Sequence, residues 1–130
     1  MIFVDTNYFL RYFIKDVSSQ HKTAKKLFTD GAKGSKKLFT STIVIFEIYW
    51  VFSSFYEKTK NEVIDILKKA IALNFVEIIE REILKEALDL FSDSNLDFED
   101  CYNLAFARNN RMKDFATFDK KLENYLKKGR

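Results

Sequence analysis

Five acidic residues stand out by their surroundings: Asp5 in VDTN, Glu47 in the aromatic run LFTSTIVIFEIYWVFSSFY, Asp97 and Asp100 in LDFEDCYNLA, and Asp119 in TFDKKL. Carboxylates gathered within a few ångströms repel one another and cannot all stay ionised without compensation. A divalent cation supplies that compensation. The donors would be hard oxygens, which suits Mg²⁺ or Mn²⁺. With one cysteine, Cys101, and one histidine, His21, there is no soft-ligand cluster for zinc or copper. The same two residues offer no Ser-His-Asp or Cys-His arrangement, and three glycines at 31, 34 and 129 allow no phosphate-cradling loop motif.

Each acid also has a plainer reading. Asp5, Asp97 and Asp119 each precede a helical pattern and suit an N-cap, a role Thr6 or Asn7 could equally take for the first helix. Asp100 heads the row Asp100, Asn103, Leu104, Ala107, which contains the apolar stripe of its helix, and belongs at the inner edge of that helix. Glu47 is the only charged residue between Leu38 and Tyr56. An unpaired buried carboxylate is costly, so Glu47 needs a lysine partner, a proton or a cation.

Short apolar runs predict four strands, at 1–5, 37–41, 75–79 and 114–118. Helical periodicity follows each: 7–14 and 19–30, 42–56 and 60–73, 81–91 and 98–111, then 119–127. The DGAKGSKK stretch reads as a helix stop and a loop. Alternating strands and helices imply an α/β fold, three-layered α/β/α, with a parallel sheet of four strands, or five. In such folds ligands bind beyond the carboxyl ends of the strands, where Asp5 and Asp119 are expected. The 130 residues lack proline, repeats and linkers, so the prediction is one domain over 1–130.

The segment 38–56 is long enough to span a bilayer, but Glu47 at its centre and five hydroxyl residues argue against that. MIFVDTN lacks a basic region and a long apolar core, so no signal peptide is expected, and an unpaired Cys101 fits a reducing cytoplasm. Residues 77–100 carry nine acids and two bases, and residues 108–130 eight bases and three acids. Setting Asp5, Glu47, Asp97, Asp100 and Asp119 aside from the 19 acids leaves 14 against 22 bases, an excess able to contact a polyanion. The contact candidates are Lys36, Lys37, Arg108, Arg111 and Lys113.

Taken in order, VDTN after an apolar run, Glu47 in the helix after the second strand, Asp100 in DFEDCYNLAFA and TFD before the last helix resemble the motifs of the PIN domain, in particular the small VapC-type toxin ribonucleases. Cys101 stands where that family usually has alanine, and Asp97 is an extra acid, read as a helix cap or as a group that supports the ligands from behind. The resemblance implies a metal-dependent endoribonuclease. Asp5, Glu47, Asp100 and Asp119 would hold Mg²⁺ or Mn²⁺, with Asn7 and Thr117 in support, and RNA phosphodiesters would be cut by metal-activated water. It also implies a homodimer and an antitoxin partner. The aromatic residues Phe46, Tyr49, Trp50, Phe52, Phe55 and Tyr56 would form core, groove or dimer face. Two alternatives are an RNA-processing PIN nuclease without an antitoxin and a non-catalytic interaction protein of the same fold. A receiver-like phosphorylation domain fits less well, because the first strand ends in one aspartate and the third in none.

Overall fold

The first strand pairs with the second, and the second with the third, all in parallel. β1 (Ile2–Phe3), β2 (Leu38–Thr40) and β3 (Val76–Ile78) align Ile2 with Leu38 and Leu38 with Val76. These strands lie within the predicted runs. Burial alternates along β2 and β3 as the pleat requires, while both residues of β1 are exposed. Val4, Leu38, Thr40, Val76 and Ile78 are buried. On the opposite face Phe3 and Glu77 are exposed and Phe39 is half-buried, where the three-layer expectation calls for cover on both faces.

This computed structural model describes residues 1–128. Seven helices occupy the predicted positions: α1 (Thr6–Phe13), α2 (Ser18–Lys33), α3 (Thr42–Trp50), α4 (Lys60–Ile71), α5 (Arg81–Asp93), α6 (Phe98–Asn109) and α7 (Lys120–Lys127). The chain divides into two compact units, Met1–Arg81 and Glu82–Arg130. No helix among the described residues is long and apolar enough to cross a membrane.

Three local departures from the predicted pattern have physical causes. First, α2 runs through Gly31 and stops at Gly34, which takes the left-handed conformation (φ 84°) and returns its N–H to the Asp30 and Gly31 carbonyls. Gly31 is needed for proximity: a Cβ there would stand 2.6 Å from Leu38 Cδ1 and 3.0 Å from Phe75 Cδ1. Second, the helix expected over 42–56 changes at Val51 to a π-helical turn, Val51–Phe55, closed by Tyr56 N–H on the Val51 carbonyl at 3.1 Å. Ser53 Oγ donates to the Tyr49 carbonyl at 2.6 Å, a side-chain bond that competes with the α-helical ladder. Of the six aromatic residues in this stretch, Phe46 and Phe52 enter the core, while Trp50 and Phe55 stay exposed.

Third, the strand expected over 114–118 does not form, so the described residues hold three strands rather than four or five. Local side chains take up the backbone donors there. Asp114 Oδ1 accepts from Phe115 N at 2.8 Å, and Thr117 Oγ1 accepts from Asp119 N at 3.0 Å. Phe118 is fully exposed and no side chain of the segment is buried, so a ladder there would gain little from packing.

The close approach of α2 to β2 is testable. Gly31→Val is expected to destabilise the protein by about 1–3 kcal/mol through overpacking, read by urea denaturation. An unchanged midpoint would show that Leu38 and Phe75 yield freely.

Candidate metal-site carboxylates

In the first unit, Asp5 follows β1 and caps α1. Its Oδ1 accepts from Thr6 N at 2.7 Å. The hydroxyl of the same Thr6 donates to Glu47 Oε1 at 2.5 Å. One buried threonine therefore holds two carboxylates that are 42 residues apart in sequence. Glu47 is half-buried on α3, and among the described residues its partner is this hydroxyl rather than a lysine. Asp5, Asn7, Glu47 and Trp50 share one surface concavity with Thr6 as part of its wall. Thr40 secures the same end of the sheet, its Oγ1 donating to the Val4 carbonyl at 2.7 Å.

In the second unit, Asp97 takes the N-cap position of α6 without a side-chain cap bond. Asp100 lies in the first turn, half-buried. Asp119 caps α7 through Oδ1 to Leu122 N at 3.1 Å, and Thr117 holds the Asp119 backbone, as noted above. Burial, and then the like charges of Asp119, Asp97 and Glu99, hold the Asp100 carboxyl above the ordinary carboxylate range; Lys121 opposes them.

Among the basic candidates, Arg108 and Lys113 line one shallow concavity beside Met112 and Phe115. Between them Arg111 adopts φ 60° just past the end of α6. Met112 N–H reaches the Ala107 carbonyl at 3.0 Å and Arg111 N–H the Arg108 carbonyl at 3.2 Å, which makes this a Schellman-type stop with arginine where glycine is favoured. Lys36 and Lys37 are exposed but precede β2, whereas Asp5 follows the parallel β1, so these two lysines lie at the other edge of the sheet from Asp5.

The donors fit a hard divalent cation in type. Cys101 is fully buried, and His21 Nδ1 is occupied by the Arg11 carbonyl at 2.8 Å. Among the described residues, no three acid, histidine or cysteine side chains stand close enough together to hold a metal ion. Asp5 and Glu47 belong to the first unit, and Asp97, Asp100 and Asp119 to the second. The residue that a reading of the sequence missed is Thr6. Its place beside Asp5 suggested a cap, and nothing local pointed to Glu47.

The family model of the PIN domain matches residues 2–128, and the chain belongs to that family. PIN domains are generally nucleases, acting on nucleic acid and typically using divalent metals. No curated relative matches the sequence.

The crowding at Asp100 has a pH signature. Its folded-state carboxyl titrates above its unfolded value, so the folded state binds that proton more tightly. The contribution to stability is therefore neutral at low pH, and becomes unfavourable as pH rises from the unfolded toward the folded value. Without added metal, Asp100→Asn is expected to raise the melting temperature at pH 7 and to lose that advantage in acid. A lower melting temperature at pH 7 would contradict the repulsion.

Proposed function

We propose that the protein is a Mg²⁺- or Mn²⁺-dependent endoribonuclease, the toxin of a VapBC-like pair. Asp5, Glu47, Asp100 and Asp119 hold the cation, directly or through water. The observation that carries this reading is the pairing of Asp5 with Glu47 through Thr6, in a chain of a nuclease family. The raised Asp100 carboxyl, held up by burial and then by the charges of Asp119, Asp97 and Glu99, supports it, because carboxyls perturbed in this way are found more often at functional sites.

A bound divalent cation would supply Lewis acidity at the scissile phosphate and ease proton loss from water. The chain's own residues do the rest. Thr6 orients one carboxylate with its backbone and one with its hydroxyl. Asp5 and Asp119 spend one oxygen each on a helix cap, which fixes the direction of the other. Asn7 offers an amide to a phosphate oxygen from the same concavity. Arg108, Arg111 and Lys113 contact the RNA backbone. Keeping an arginine at the left-handed position of Arg111 costs roughly 1 kcal/mol relative to glycine, and such strain tends to be kept where the side chain is used. As a toxin the protein forms a homodimer and is held inactive by an antitoxin; the exposed Trp50 and Phe55 suit contacts of that kind.

A non-catalytic PIN-fold protein is the second reading, favoured by the lack of a three-acid cluster among the described residues. Incubation with total RNA and Mn²⁺ separates the two. The intact protein is expected to cut RNA and to stop on chelation. Asp5→Asn, Glu47→Gln and Asp100→Asn should each lower the rate by about 10²-fold or more while remaining folded. Full activity in Glu47→Gln would remove that residue from the site. Sedimentation as a monomer at micromolar concentration would contradict the dimer.

A further inference from the structure

A second concavity lies between α1 and α2, lined by Asn7, Tyr8, Arg11, Gln20, Thr23 and Ala24. Asn7 also lines the concavity of Asp5 and Glu47, so the two hollows meet at that residue. The second hollow is ringed by polar side chains over a mostly apolar surface and is held in shape from several sides. Arg11 Nε donates to Gln20 Oε1 at 2.7 Å and Nη1 to Asp16 Oδ1 at 3.1 Å. His21 ties α2 to the Arg11 carbonyl. These bonds use two of the five guanidinium donors and leave Nη2 for a ligand. Tyr8 is 37 % exposed beside it. Ala24, 1 % exposed, is too small to fill the floor. Asn7 and Arg11 are four residues apart on one helix face, about 6 Å along its axis, the length scale of a single nucleotide.

We infer that this hollow is a nucleotide subsite: it takes an unpaired nucleotide next to the scissile phosphate, stacking the base on Tyr8 and placing a phosphate on Arg11. The inference rests on the nuclease reading of the adjoining carboxylates and assigns residues of this chain to one unpaired nucleotide of its substrate. Duplex RNA keeps its bases stacked inside the helix and cannot offer one to Tyr8. A ring and a guanidinium one helical turn apart are the elements by which single strands are held without base-pair readout.

The test is fluorescence anisotropy of a labelled single-stranded RNA with the full-length Asp5→Asn protein, alone and combined with Tyr8→Ala, Arg11→Gln or Thr23→Phe. Loss of one stacked base corresponds to about a tenfold rise in Kd, which is expected for Tyr8→Ala. Thr23→Phe fills the hollow from an exposed position on α2, so it keeps the test valid should Arg11→Gln disturb folding. In the otherwise intact enzyme, Tyr8→Ala is expected to raise KM about tenfold and to change kcat far less. Unchanged Kd in both Tyr8→Ala and Thr23→Phe overturns the subsite, including the case in which the hollow serves a protein partner instead. The two readings fail separately. If RNA is cut but these variants bind and cut normally, only the subsite falls. If the intact protein cuts no RNA while the variants lose affinity, the nuclease reading falls and the nucleotide site stands.

Discussion

Thr6 carries two donors on one residue, and the candidate chemistry of the first unit hangs from them. Its backbone N–H engages Asp5 and its hydroxyl engages Glu47. The first bond begins α1 as a helix cap; the second ties α1 to α3. Because Thr6 is 9 % exposed, water competes weakly for either bond. A hydroxyl bonded to an ionised carboxylate is worth more than a neutral pair, and removing it leaves a half-buried charge without a protein partner. Glu47 thus sits in the most apolar of the described helices, with no lysine partner among the described residues, its cost partly met by one hydroxyl.

The rest of the first unit supplies rigidity to that contact. β1 is only two residues long and is pinned to β2, where the Thr40 hydroxyl closes on the Val4 carbonyl next to Asp5. Gly31 lets α2 lie close over Leu38. The same α2 forms one wall of the hollow that continues from the carboxylates past Asn7. A change in how α2 seats on the sheet would therefore reach both the acids and the proposed nucleotide position.

Much of this was legible in the sequence, and the failures are specific. Three of four predicted strands and all seven helical stretches are present, because apolar periodicity records burial directly. The N-cap readings of Asp5 and Asp119 hold, since a cap is a local bond between residues at most three apart. The strand predicted at 114–118 was lost to equally local bonds from Asp114 and Thr117, which a count of apolar residues does not weigh. Gly31 looked like a helix stop because its reason for being glycine is Leu38 and Phe75, contacts visible only after folding. Thr6 was missed as a partner of Glu47 for the same reason.

Metal binding tests the proposed role of these carboxylates without requiring any reaction. Mn²⁺ titration followed by electron paramagnetic resonance should find one site per chain. Asp5→Asn, Glu47→Gln, Asp100→Asn and Asp119→Asn should each weaken Mn²⁺ binding about tenfold or more. Mn²⁺ affinity that is indifferent to Glu47→Gln would contradict the proposed role of these carboxylates.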